Sequence, residues 1–528
     1  ASQDAALPES RLVQDFDSLG TIKGFQAMKS STQAALLKGA HVIDPGQGID
    51  GIKDIALENG KIRSVEGLPP DVETIDLTGS YLTPGWIDIH VHVYGTLGFA
   101  DPDSIGVYQG VTSYVEAGGP GIGTLDEFIA LLGGQTKTTL YAGPYIRPLG
   151  ILGLNFIESD VRTLTNIPIT DWVDFKKAHP GLLRYIKVGA FSGYGYGPTK
   201  IGKGLAEILE LPLYAHIGEH QLQPGNESAY EIYRVSEAGD IVTHVYHGNE
   251  CGILDRDGKI LPVVRDAKSR GVLFDVGFGG FNFSWRVAER AWAQDFIPDI
   301  ISSDLQQFNV AGPAYSLANV MACFMMLGMP LKDAIEKVTI APAKALHMTD
   351  IAGTLKPGLP ADITVFRVDS GAYTLTDTTN HTRPFDKRIV PTITFKNGER
   401  IDCDMERCQN ERNWLIQIAE DHEPEGMKRL TGAQTAFLGM LANKLAPISW
   451  DEFSVQTLDY DKSLLLQAAF HQARKEQNIP LRDALTAVFD LFLDNPFTMQ
   501  IGLFLLRLDR SFALERMRKV AATHRMVA

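Results

Sequence analysis

The sequence predicts an α/β fold, a (β/α)8 TIM-like barrel with a smaller β structure beside it and a helical C-terminal extension. Three observations carry this. Between residues 83 and 349 short apolar runs alternate with helical patterns, which is the signature of parallel strands joined by helical crossovers. Within that stretch, apolar runs repeatedly end in a metal-binding residue type, as the C-terminal strand ends of a barrel require. After residue 403 the apolar period changes to that of helices.

In chain order, residues 1–29 are polar, lack a clear period and read as an N-terminal arm. Residues 30–82 alternate like short strands, and Asn59-Gly60 is a type I′ hairpin signal. Residues 83–349 form the predicted barrel. Residues 350–402 return to the earlier alternation, with Asp362-Ile-Thr-Val-Phe-Arg-Val and Thr392-Ile-Thr-Phe-Lys-Asn397-Gly398. Residues 403–528 hold three helical patterns, beginning at Thr435, Lys462 and Leu481, and read as packing helices or an oligomer contact, with a lid as the alternative. His471 and His524 are expected as solvated helix residues.

Composition narrows the function. The chain has 528 residues, a formal charge of −15, 44% hydrophobic and 21% charged residues, as in a globular enzyme with more than one domain. The acidic balance and absent basic patch speak against nucleic acid, and no apolar run is long enough for a membrane span. Four cysteines, Cys251, Cys323, Cys403 and Cys408, are too few for a disulfide scaffold. Three Asn-x-Ser/Thr matches carry little weight without a secretion pattern, and a cytoplasmic location is expected. The expected partner is a small-molecule substrate, with homo-oligomerisation.

The chemistry-bearing stretch is Pro84-Gly-Trp-Ile-Asp-Ile-His90-Val-His92. Residues i and i+2 of a strand face one side, so both imidazoles address one point, as metal ligands do. Alone, His-x-His is weak. It is followed, in order, by apolar runs ending in Lys187, His216, His244 and Asp304. Neutral imidazoles and a carboxylate suit a borderline divalent ion. The lysine is the odd member, because an ammonium repels a metal. Burial disfavours its charged form, and a free amine can take up carbon dioxide to become an anionic carbamate that bridges two metals.

The ordered set His-x-His, Lys, His, His, Asp resembles the binuclear subtype of the amidohydrolase superfamily. Gly353-Thr-Leu-Lys-Pro-Gly-Leu-Pro-Ala361-Asp362 and Thr339-Ile-Ala-Pro342-Ala343 are similar to further segments of that superfamily. Gly239-Asp-Ile-Val-Thr-His244, Phe274-Asp-Val-Gly277-Phe-Gly279-Gly280 and Leu82 to Gly95 resemble its amidohydrolase/deacetylase, dihydroorotase-like branch. The resemblance spans roughly residues 30–402. It implies that residues 30–82 and 350–402 pair in one β-sandwich. It also implies two divalent ions, zinc foremost: one at His90 and His92, one at His216 and His244, with N6-carboxylated Lys187 bridging. Asp304 would bind the first ion and act as general base and acid while a metal-bridging hydroxide attacks an amide or ester carbonyl.

Two departures bear on substrate. The branch usually follows its lysine with Val-Arg, where this chain has Val188-Gly189, and it places histidine where this chain has Phe278. Loss of a cation and an imidazole suggests a partly apolar substrate. Tyr94, Arg147, Glu219 and Tyr246 are further candidate substrate contacts. Asp88 reads equally as a support for the histidine pair or as strand-end packing. Three other functions remain open: cyclic amide or lactone opening; a mononuclear deaminase using Glu219 of His216-Ile-Gly-Glu219 as proton shuttle; and a non-catalytic scaffold.

Overall fold

The computed structural model describes residues 34–94, 101–151, 167–189, 197–218, 230–249, 252–306, 309–407, 418–450, 460–494 and 501–525. The expectations placed on the N-terminal arm, Glu219, Cys251 and Cys408 lie outside the described residues.

Seven short strands open the described chain: β1 (Ala35–Lys38), β2 (His41–Asp44), β3 (Ile49–Ile52), β4 (Ile55–Glu58), β5 (Lys61–Arg63), β6 (Glu73–Asp76) and β7 (Tyr81–Pro84). Seven more strands belong to the barrel region: β8 (Trp86–Val91), β9 (Val111–Glu116), β10 (Thr139–Ala142), β11 (Ile186–Gly189), β12 (Leu213–His216), β13 (Ile241–Thr243) and β14 (Leu273–Phe274). The last three are β15 (Ile363–Thr376), β16 (Thr382–Lys396) and β17 (Glu399–Asp402).

The outer strands form two sheets, ordered β5-β4-β1-β6 and β17-β16-β15-β7-β2-β3. Inward-facing Leu37, Ile55, Leu57 and Ile62 of the first meet Val42, Leu82, Ile363, Val365, Ile393 and Phe395 of the second in one apolar core, a β-sandwich. Both Asn-Gly pairs turn hairpins. Asn59 and Gly60 have φ of 51° and 74° between β4 and β5, and Asn397 and Gly398 have 48° and 77° between β16 and β17. Positive φ at both positions is what a type I′ turn demands.

The barrel strands are parallel and pair in sequence. β8, β9 and β10 form one run, and β11 to β14 another. Parallel bridges Ala142↔Leu183 and Tyr145↔Lys187 join the two runs. The eighth strand is the segment Ile300–Leu305, bridged in parallel to Asp275 on one side and Val91 on the other, which closes the ring. It pairs irregularly because Asp304 takes φ 49°, although its N–H still donates to His90 O at 2.7 Å. β8 is buried at all six positions, as expected of a parallel strand covered on both faces, and so buries the polar side chains of Asp88 and His90.

The C-terminal helices Gly432–Leu445, Tyr460–Glu476, Leu481–Phe492, Ile501–Arg507 and Arg510–Arg525 enclose their own core of Phe437, Leu438, Leu441, Phe470, Leu485 and Phe504. Leu149, from the chain after β10, joins that core, so the helices pack on the barrel. Among the described residues no helix is long and apolar enough to cross a membrane.

Candidate active site

His90 lies in β8 and His92 directly after it, and Asp304 stands near the end of the eighth strand beside them. One ligand atom from each lies within 4.8 Å of the others. His92 Nε2 stands 3.2 Å, and His90 Nε2 3.5 Å, from Asp304 Oδ1. Lys187, on β11, brings Nζ to 3.0 Å from His90 Nε2. His244 follows β13 and His216 ends β12; their rings lie 4.2 Å apart, and the His244 ring is 5.0 Å from that of His90. The structure therefore brings together all six predicted ligands from five barrel strands or the residue directly after them. All but the half-buried His216 are under 5% exposed.

Each buried imidazole is oriented from behind. His90 Nδ1 donates to Tyr214 Oη at 2.9 Å, and that hydroxyl donates to Asp275 Oδ2 at 2.6 Å. Thr243 and Ser302 hydroxyls also donate to Asp275 Oδ2, each at 2.7 Å. His92 Nδ1 donates to Glu116 Oε1 at 3.2 Å, while Glu116 also accepts the N–H groups of Val93, Tyr94 and Gly119. His244 Nδ1 donates to Gly277 O at 2.6 Å. With Nδ1 the donor in each case, Nε2 is left to face the centre, and in His90 and His244, held neutral by burial, it carries the lone pair a metal takes.

Two ligands sit in the left-handed region, His244 at φ 68° and Asp304 at 49°. Such backbone is costly for a non-glycine residue and persists where surrounding contacts impose it. Glycines make room for it. A Cβ on Gly277 would fall 2.7 Å from His244 Nδ1, and one on Gly279 would fall 2.5 Å from Asp304 Oδ2.

The electrostatics suit a divalent cation. Burial pushes the Lys187 amine down to about 7, so its neutral form is within reach. Burial likewise holds His90 and His244 well below the usual imidazole range, keeping them neutral. Burial opposes charge on His92 too, but its hydrogen bonds to the carboxylates of Asp304 and Glu116 outweigh it and raise its pKa to about 9. The point between His92 and Asp304 thus draws positive charge. His244 Nε2 is buried with no hydrogen-bond partner among the described residues, an acceptor suited to a metal. His90, His92 and Asp304, with Lys187, His216 and His244 beside them, fit a divalent-metal centre.

The remaining candidates sit differently. Tyr94 is buried, and its hydroxyl donates to Glu127 at 3.3 Å. Arg147 is buried with its guanidinium 4.6 Å over the Tyr145 ring. Tyr246 donates to Phe296 O at 3.1 Å. Phe278 stacks on Phe283, with centroids 4.5 Å apart and planes at 19°. Its ring is wholly buried in an aromatic cluster, and its backbone runs between Gly277 and Gly279, which border His244 and Asp304. Asp88 accepts the N–H groups of His90 and Ser303 and the Ser303 hydroxyl, tying β8 to the Asp304 segment. His471, expected in solvent, instead contacts buried Glu127.

Sequence reasoning missed Glu116, Asp275 and Tyr214. Glu116 carried the same signal as the ligands, an apolar run ending in an ionisable residue. Asp275 lay inside a quoted motif. Tyr214 gave no signal, because a tyrosine inside a buried strand is ordinary.

Comparisons with known proteins show the family. The amidohydrolase family model matches residues 282–401. A deacetylase of Enterococcus faecalis is 34% identical over 373 residues, covering 68% of this chain and 98% of that protein. The crystal structure of an adenine deaminase is 32% identical with a TM-score of 0.63, covering 70% of this chain and all of that one. A dihydroorotase crystal structure is 26% identical, also with a TM-score of 0.63, covering 70% and 98%. The chain belongs to the amidohydrolase family and is a metal-dependent hydrolase of amide and other C–N bonds.

Proposed function

We propose that this enzyme removes an acyl group from a small N-acylated molecule, with His90, His92, Lys187, His216, His244 and Asp304 as ligands of two divalent ions. Zinc is the proposed metal, and Lys187 the proposed site of N6-carboxylation. The observation that carries this reading is the convergence of buried His90, His92 and Asp304 within 4.8 Å, with Lys187 Nζ 3.0 Å from His90 Nε2. A buried lysine among histidines is a poor structural residue but a sound carbamate precursor.

When bound, the ions would polarise the scissile carbonyl and acidify a water molecule near neutral pH. In this reading Asp304 would act as general base on the attacking water and as general acid toward the leaving nitrogen. Its left-handed backbone and the Asn282 Nδ2 group, 3.5 Å from Oδ2, hold the carboxylate in position. Glu116, Asp275 through Tyr214, and the Gly277 carbonyl hold the imidazoles so that each presents Nε2. The 34% identity to a protein named as a deacetylase supports the acyl-amide substrate class.

The test is metal content per chain, measured after purification without chelator and with bicarbonate present, for the wild type and Lys187→Ala. Close to two metals, falling in the variant, would support the reading; one metal, insensitive to the change, would reject the bridge. A panel of N-acetyl amino acids, lactones, cyclic imides and adenine, read for acid and ammonia release, then assigns the substrate. Ammonia from adenine, the activity named for the 32% identical structure, would replace the deacylase reading.

A further inference from the structure

Glu127 is a buried carboxylate outside the candidate centre that accepts four hydrogen bonds. It sits on the barrel helix Leu125–Leu132 and is fully buried. Its Oε2 accepts the Tyr94 hydroxyl at 3.3 Å and the Ile501 N–H at 3.1 Å. Its Oε1 accepts Gln467 Nε2 at 3.1 Å and His471 Nε2 at 3.2 Å. Three of these four donors come from the C-terminal helices. The fourth, Tyr94, lies two residues beyond His92.

Tyr94 is held from the other side as well. Its N–H and that of Val93 donate to Glu116 Oε2, and Glu116 Oε1 receives His92 Nδ1. The Tyr94 carbonyl presses on the chain after β9 so closely that a Cβ on Gly119 would fall 1.8 Å from it. That chain runs past Lys187, whose Cγ would lie 3.2 Å from a Cβ on Gly118. It ends at Gly123, whose carbonyl accepts Gln467 Nε2 at 2.9 Å. The C-terminal helices thus grip both sides of the wall that carries His92 and borders Lys187.

We propose that Glu127 is a positioning residue that makes the C-terminal helices a fixed support of the metal centre, acting through Tyr94 on the backbone of His92. A carboxylate with four donors and no access to water is rigid, because moving any one partner strands a buried charge or donor. The helices are then neither a mobile lid nor simple packing. This inference rests on the metal centre proposed above.

The experiment is titration of the full-length, chelator-stripped protein with zinc alone, below its melting temperature, with thermal melting recorded in parallel. Glu127→Gln keeps the shape but mismatches one donor, and Tyr94→Phe removes one hydroxyl from a ring that stays buried. Both are expected to weaken zinc binding about 10-fold. Lys444→Ala, which removes an exposed pair with Glu476 inside the helices, is expected to leave it unchanged. Should Glu127→Gln not fold, Tyr94→Phe carries the test. Wild-type binding with Tyr94→Phe within twofold of it would overturn this inference alone, as would equal weakening in Lys444→Ala. A wild type that binds no zinc would overturn the metal centre and this inference together.

Discussion

At the barrel rim His90, His92, Glu116, Lys187, Asp275 and Asp304 are all under 5% exposed, and most of their polar atoms are hydrogen-bonded. In the C-terminal helices Phe437, Leu438, Leu441, Phe470, Leu485 and Phe504 are just as hidden, yet offer nothing polar. Equal burial therefore serves opposite ends. The helical core gains free energy from every apolar surface it removes from water. The rim loses it by desolvating charged groups and recovers part through hydrogen bonds, which leaves a rigid arrangement whose groups prefer a cation. Stability should accordingly reside in the helices and sandwich, and chemistry in the rim.

The sharpest separation is expected from Asp304→Asn. Loss of the proton carrier should lower kcat/KM on the best amide substrate about 10³-fold, with the circular-dichroism spectrum unchanged. Activity within tenfold of the wild type would remove Asp304 from the chemistry. Leu441→Ala is the converse. It should cost about 2–5 kcal/mol of stability in denaturant titration and leave zinc affinity as it was; a parallel loss of affinity would break the division. Asp275→Asn sits between the two. It weakens the acceptor that fixes Tyr214 and hence the His90 tautomer, and zinc affinity should fall about 10–100-fold. Unchanged affinity would show that His90 needs no such support.

The smallest effect extends the comparison to the sandwich. Burial pushes the Cys403 thiol up to about 11. The thiolate is the reactive form, so at pH 8 about one molecule in a thousand carries it at this position. Alkylation of the native protein should rise about tenfold per pH unit up to that value, whereas the unfolded chain levels off above about pH 8.5. A plateau near pH 9 in the native protein, followed by peptide mass spectrometry, would contradict the burial argument.

The fold class and the strand-end positions of the six candidate ligands were legible because each rested on a local pattern. Alternating apolar runs predicted the strands, Asn59-Gly60 the hairpin, and strand-end residues the ligands. The limits show at His471. That reading took the residue's chemistry as a guide to its surroundings, and tertiary packing decided otherwise: His471 turns inward to Glu127.

By itself the sequence determined which residues end the strands and which segments alternate, since these are properties of a few neighbouring positions and the backbone period. Only the tertiary structure decided that the Ile300–Leu305 segment closes the ring against Val91, and that Glu116 and Asp275 steady the histidines. Only it revealed that helices more than 300 residues away reach Tyr94 through Glu127. Those contacts join residues with no shared period. They form because closing the barrel and burying the helical core fix the positions of side chains that the chain order leaves unrelated.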